Sequence, residues 1–205
     1  MYIAVFGATG GTGRHFLEQA LAQGHSVSAL VRDPAKLGIS HPQLQLVTGN
    51  VLEPTAVART LEGSTAVVCS LGTTSNNPGD VVSTGTKNII HHLQQHGPQR
   101  LLVVTSLGVG DSADQVPFVF KLLMKSVLKK VMADKEVQEA AVRASGLDWT
   151  IVRPGGLTDG PATGQYTVGT GREIKAGQVR RADVAQFLMQ ELTAAQYLRQ
   201  AVAIT

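Results

Sequence analysis

Apolar positions along the chain come in two alternating textures. Short runs rich in β-branched residues predict strands near Ile3–Phe6, Ser26–Val31, Gln45–Thr48, Ala66–Leu71, Leu101–Thr105, Trp149–Val152 and Ala201–Ile204. Between them, longer stretches with helical spacing predict helices at Thr12–Gln23, Pro54–Leu61, Pro78–His96, Pro117–Ser145 (with room for a break) and Arg181–Leu192. Glycine and proline punctuate the pattern. Gly24, Gly63, Gly97 and Ser145-Gly146 follow helix ends, and Pro54, Pro78 and Pro117 stand where helices start, a position that needs no N–H. Strand runs that are apolar on both faces, alternating with helices, predict an α/β fold with one doubly wound, mainly parallel sheet covered by helices on both faces. Only 155–177 departs from the rhythm. It is dense in Gly, Thr and Pro, with short strand-like patches at Gln165–Val168 and Glu173–Lys175. A long irregular segment late in such a sheet is expected to lie over the ligand, beyond the carboxyl ends of the strands.

Composition narrows the function classes. The 205 residues fit one domain, and 43% hydrophobic content is enough for its core. No run approaches the ~18 apolar residues that span a bilayer, so no integral membrane segment is expected. The apolar start Met1–Phe6 lacks a basic flank and is broken by Gly7, so it reads as a first strand and the expected location is cytoplasmic. The single cysteine, Cys69, lies in an apolar run and reads as a small buried hydrophobe. A net charge of +3 with five Phe, three Tyr and one Trp gives no aromatic interleaving for base stacking. That argues against nucleic acid and suits an anionic small molecule. One sheet and its helices account for the apolar pattern, so a monomer is expected.

The chemistry starts at Gly7-Ala8-Thr9-Gly10-Gly11-Thr12-Gly13-Arg14, which follows a strand and opens a helix. Glycines at 7, 10 and 13 supply a tight turn, a close backbone approach to a pyrophosphate, and close packing of helix on strand. The N–H groups of Thr9, Gly10, Gly11 and Thr12 and the helix dipole favour the anion. This is a dinucleotide cradle, and it makes 1–205 a single NAD(P)-binding domain of the Rossmann type, with 155–177 on the substrate side. The second strand ends Leu30-Val31-Arg32-Asp33, with Arg32 nineteen residues beyond Gly13, close to the ~20 at which the ribose is read. A carboxylate there selects a 2′-hydroxyl and an arginine a 2′-phosphate. Arg32, with Lys36 one turn on, favours NADP(H); Asp33 is the competing candidate, one position late, and Arg14 is a further phosphate candidate. Asn50-Val51 after the third strand is expected at the adenine edge, and Leu71-Gly72-Thr73 after the fourth along the nicotinamide ribose.

The fifth strand ends Val104-Thr105-Ser106, with Thr105 beside the cofactor and Ser106 at the reaction site. Short-chain dehydrogenases pair a Ser or Thr here with Y-x-x-x-K on the next helix. Here Val131-Met132-Ala133-Asp134-Lys135 keeps the lysine and has valine in place of tyrosine. None of the tyrosines at 2, 166 and 197 has a lysine four residues later. Carbonyl reduction by a tyrosine acid is therefore not expected. Ser106 and Lys135 are the catalytic candidates.

The chain resembles the atypical short-chain dehydrogenase/reductases of the NAD(P)H-binding, NmrA-like group, and most of all the flavin reductase/biliverdin-IXβ reductase family. The matching residues are Phe6–Gly10, Thr12-Gly13, Leu30–Asp33, Leu71–Thr73, Gly85 with Asn88-Ile89, Thr105-Ser106, Ser145–Leu147 and Gly164–Val168. The resemblance implies an NADPH-dependent reductase acting on a flavin or a linear tetrapyrrole, assisted by the serine at 106. Lys135 and Gly156 stand where that family often carries histidines, and Asn50 where it often has aspartate. Arg153–Leu157, with Pro154 in the cofactor set, is typical of the broader group. In Val116–Met132, Lys121, Lys125 and Lys129 form a basic stripe beside apolar positions, which reads as a lid, a surface for a partner or membrane, or an ordinary solvated helix face. His92 and His96 lack the glutamate of H-E-x-x-H, so no metal site is expected. A different class stays open: an NADP(H)-binding redox sensor or scaffold without turnover.

Overall fold

A computed structural model of the chain describes residues 1–73, 79–97, 100–118, 120–122 and 128–205. The strands are β1 (Tyr2–Phe6), β2 (Ser26–Val31), β3 (Leu44–Thr48), β4 (Ala66–Cys69), β5 (Arg100–Val104), β6 (Asp148–Pro154), β7 (Gly156–Thr158), β8 (Val168–Gly169), β9 (Gln178–Arg180) and β10 (Gln200–Ile204). The helices are α1 (Gly11–Ala22), α2 (Pro34–Leu37), α3 (Pro54–Leu61), α4 (Val81–His96), α5 (Lys129–Ala144) and α6 (Arg181–Ala194), with a 3-10 turn at Gly110–Gln115. Eight strands form one sheet in the order β3-β2-β1-β4-β5-β6-β10-β8. All neighbours are parallel except β8, which runs antiparallel to β10 at the edge. The order reverses between β1 and β4, the switch point where such sheets open a crevice at their carboxyl ends.

Side chains alternate across each strand, so both faces of the sheet are packed. Ile3 and Val5 of β1 face a core shared with Phe16 and Leu17 of α1 and Phe187 and Leu188 of α6. Ala4 and Phe6 face the other core, with Val57 of α3, Ile89 and Leu93 of α4 and Trp149 of β6. The Arg143 guanidinium of α5 lies 5.6 Å from the centre of the Trp149 ring. Gly24, Gly63 and Gly146 have φ of +77°, +70° and +74°, the left-handed conformation that ends a helix at low cost in glycine.

The stretch Pro117–Ser145, predicted as a helix with room for a break, is helical at 118, at 120–122 and again in α5 from Lys129; 119 and 123–127 lie outside the described residues, and the 3-10 turn precedes the stretch. Tight packing holds the turn: Ser112 and Gln115 are buried, Ser112 accepting from Gly108 N–H and Gln115 donating to the Gly171 and Ile174 carbonyls. Of the basic stripe, Lys121 is salt-bridged to Asp114 at 3.0 Å, and Lys125 lies outside the described residues, as does Pro78 at the predicted start of α4. Within 155–177, Glu173–Lys175 is not a strand. β7 instead pairs in parallel with β9 as a separate two-stranded sheet, and β8 adds to the main one.

Candidate functional site

The carboxyl ends of β1, β2, β3, β4 and β5 surround a cleft of about 650 Å³, a size usual for small-molecule and cofactor sites. Its floor is the glycine turn, where Gly7, Thr9, Gly10, Gly11 and Thr12 all line the cleft. The turn is tight enough to forbid side chains at Gly7 and Gly13. A Cβ at Gly7 would stand 2.5 Å from the Ser70 carbonyl oxygen, and one at Gly13 would collide with the Gly7 oxygen and stand 2.5 Å from Ser70 Oγ. Gly13 is buried beneath the cleft, where it lets α1 press onto the turn. Ser70 Oγ ties β4 to β1 by donating to the Phe6 carbonyl at 3.2 Å.

The rim is built by the next strand ends. Arg32 lines the cleft at the end of β2. Asp33 lies outside the lining, and its carboxylate caps α2, accepting the Ala35 N–H at 3.1 Å. Lys36, exposed on α2, lies outside the lining, and Arg14 turns away to Glu18 and to the Leu37 carbonyl. Asn50 and Val51 line the cleft after β3. Asn50 Oδ1 accepts the Leu52 N–H, and Asn88 Nδ2 donates to the Val51 carbonyl. Val51 packs where a Cβ on Gly85 would be, so that glycine admits the third strand's loop against α4. Leu71, Gly72 and Thr73 follow β4 along the wall, and a Cβ at Gly72 would meet nothing within 4 Å on its open side.

The far end of the cleft gathers Val81, Thr105, Ser106, Val131, Lys135 and Leu157. None of the three tyrosines lines it: Tyr2 bonds Gln45, and Tyr166 and Tyr197 both stack against Phe187. Ser106 Oγ donates to the neighbouring Leu107 carbonyl at 3.2 Å. Burial pushes the Lys135 ammonium below its ordinary range, against the opposing pull of Cys69, Glu139 and Asp134. Pro154 is buried and does not reach the cleft.

Behind this end lies a buried ionic cluster that sequence spacing did not reveal. Glu139 Oε1 accepts the Thr105 hydroxyl at 2.7 Å and Arg153 Nε at 2.9 Å. Arg153 Nη2 bridges Glu139 Oε2 and Asp111 Oδ1. Arg143 approaches the same two carboxylates, at 3.8 and 3.6 Å. Glu139 and Arg153 are 4% and 5% exposed, so the pair is held away from water. The cluster joins β5, β6, α5 and the 3-10 turn directly beneath Thr105-Ser106. Asp111 feels burial, which raises its carboxyl, but Arg153 and Arg143 more than offset this and hold it below the usual range.

One further cleft residue was missed, Arg181 at the start of α6. No spacing rule connects position 181 to a glycine turn at the other end of the chain. Only the packing of α1 and α6 on the same face of the sheet brings them together.

A parallel sheet with its cleft at the switch point and a glycine-rich turn at a helix start defines a dinucleotide-binding protein of the Rossmann type. The chain matches the NAD(P)H-binding family over residues 7–195 and belongs to it. It is 31% identical to an uncharacterized chloroplastic protein of Arabidopsis thaliana over 93% of this chain and 71% of that protein. It is 30% identical to an oxidoreductase of Pestalotiopsis microspora over 76% of this chain and 66% of that protein. Among solved structures it resembles ChuY, described as an anaerobillin reductase from Escherichia coli O157:H7. That match has 29% identity and a TM-score of 0.84, covering 100% of this chain and 96% of the other.

The residues fit the cofactor. The glycine turn brings its backbone to the cleft floor, the wall at Gly72 is open, and Arg32 and Arg181 bring positive charge to the same cleft. Among the described residues, no helix is long and apolar enough to cross a membrane, and no group of three His, Cys, Asp or Glu gathers for a metal ion.

Proposed function

We propose that the chain is an NADPH-dependent reductase for a flat, conjugated acceptor of the flavin or linear-tetrapyrrole class. The observation that carries this reading is the makeup of the cleft's far end. Aliphatic walls from Val81, Val131 and Leu157 surround Ser106 and Lys135, and no tyrosine is present to protonate a reduced carbonyl. An acceptor that spreads incoming charge over a conjugated system has no need of that acid, and its flat face suits aliphatic walls. The name of the ChuY relative supports the tetrapyrrole member of the class.

NADPH, when bound, supplies the hydride. In this reading each residue has its own part. Gly7, Thr9, Gly10, Gly11 and Thr12 bind the pyrophosphate through the turn, and Arg32 takes the 2′-phosphate, with Lys36 adding to the field. Asn50 and Val51 border the adenine. Leu71, Gly72, Thr73 and Thr105 border the nicotinamide ribose. Gly13 and Pro154 support the cleft from beneath. Ser106 donates a hydrogen bond to the acceptor's polar edge, the Lys135 ammonium stabilises negative charge building there, and solvent completes the protonation. The acceptor is a small molecule and one chain suffices for the site.

The test offers FMN, biliverdin and a quinone in turn and follows NADPH oxidation. Turnover with FMN or biliverdin supports the reading. Tight NADP⁺ binding with no turnover on any acceptor overturns it in favour of a non-catalytic sensor.

A further inference from the structure

The first turn of α6 reaches back to the glycine turn. The Arg181 stem lies across Gly11, the first residue of α1: a Cβ there would collide with Arg181 Cδ and stand 2.8 Å from Nε. The guanidinium lines the cleft and is ion-paired to Asp159, just beyond β7, with Nη1 and Oδ1 2.7 Å apart. The two partners differ in setting. The Arg181 side chain is 27% exposed and that of Asp159 85%.

Two positive ends therefore converge on Gly11. The opening N–H groups of α1 have no intrahelical acceptor and carry the positive end of the dipole, and Arg181 Cζ stands 3.7 Å from where a Gly11 Cβ would be. Such a meeting is unfavourable without an anion, and here Asp159 supplies one from the solvent side. The neighbouring residues of α6 already anchor the adjacent loop. Arg180 donates to the Pro161 carbonyl, and the Asp183 carboxylate accepts from Thr163 and Gly164. Of these three residues, Arg181 alone lines the cleft.

We propose that Arg181 is a cation of the cleft that binds the pyrophosphate alongside the backbone N–H groups of the turn, and that Asp159 is its resting counterion, which the dinucleotide displaces. The inference rests on the cofactor reading and adds a competition: the protein's own carboxylate opposes cofactor binding. The pyrophosphate offers more charge than one carboxylate and reaches the α1 N–H groups as well, whereas an exposed ion pair is weak and readily given up.

The test is direct titration of NADPH and NADH, read as dissociation constants rather than turnover. Arg181→Met should weaken both dinucleotides by the same factor, on the order of tenfold, because both carry the pyrophosphate. Asp159→Asn should tighten both by about threefold, the yield of removing an exposed ion pair. In the Arg181→Met background the Asp159→Asn change should have no further effect. Asp159 is exposed enough that its variant folds even where an Arg181 variant does not. Unchanged affinity in folded Arg181→Met, or weaker binding in Asp159→Asn, overturns the proposal. A wild-type protein that binds neither dinucleotide overturns the cofactor reading and this proposal with it, whereas wild-type binding with inert variants overturns this proposal alone.

Discussion

Replacing Glu139 with glutamine removes one charge from the buried cluster and leaves its shape nearly unchanged. Arg153 loses its doubly bonded, water-excluded partner and keeps only Asp111, whose side chain is 58% exposed. The Thr105 hydroxyl keeps an acceptor only if the new amide presents its oxygen, and then the amide nitrogen faces the guanidinium. Breaking a buried pair from one side costs about 3–5 kcal/mol. With Asp111 still present, about 3 kcal/mol is the expected loss, or a fall of roughly 6–12 °C in Tm for a chain of this size. Urea unfolding should show this as a lower midpoint at unchanged slope. The decisive comparison is the double variant Glu139→Leu/Arg153→Met, which removes both charges and fills the space with apolar atoms. It should be more stable than Glu139→Gln, because no uncompensated charge remains. If Glu139→Gln costs less than about 1 kcal/mol, or the double variant falls below the single one, the cluster does not act as a buried electrostatic unit.

Three other outcomes are expected. Arg32→Asp should weaken NADPH far more than NADH in equilibrium titration; equal losses would remove Arg32 from the 2′-phosphate. Since burial lowers the Lys135 pKa from its ordinary 10.5, the ammonium is lost as pH rises through that depressed value. The kcat profile should therefore fall on a limb below pH 10.5 that is absent in Lys135→Met. Below that pKa the buried charge is a cost to folding, so Lys135→Met should also gain stability at neutral pH. Burial alone would raise the Asp183 carboxyl, but bonds from Gly164 and Thr163, with Arg180 nearby, bring it below 3.8. Its contribution is present above the unfolded value and is lost as pH falls through the folded one. Asp183→Asn should accordingly speed limited proteolysis near Thr163-Gly164 at pH 7, and unchanged cleavage would show that the anchor lies elsewhere.

Features carried by local chemistry are legible in the chain's own spelling. Gly7 and Gly13 mark the turn because no other residue meets its crowding, and Gly24, Gly63 and Gly146 mark helix ends because the backbone there is left-handed. The valine at 131 announces a site without its tyrosine, and the three tyrosines do stand away from the cleft. Features that depend on packing across the sheet are not legible in this way. Asp33 reads equally well as a ribose ligand or a helix cap until α2 is seen to begin at Pro34. The 3-10 turn at Gly110–Gln115 has no periodic apolar pattern to announce it, and its buried Ser112 and Gln115 decide the path there. Glu139, Arg153 and Asp111 come from three separate elements, and Arg181 meets Gly11 only through the α1–α6 contact. No spacing in the chain reports either meeting.

The lone tryptophan gives the protein an optical probe of its own. Trp149 is 5% exposed, its ring lies under Arg143, and Arg143 leans on the carboxylates that steady Thr105. Its emission comes from a single, dry position, so a change in colour or lifetime reports on that cluster without contribution from another indole. Reduced nicotinamide absorbs where tryptophan emits, so energy transfer from Trp149 offers a label-free reading of cofactor arrival in the same cuvette that follows unfolding.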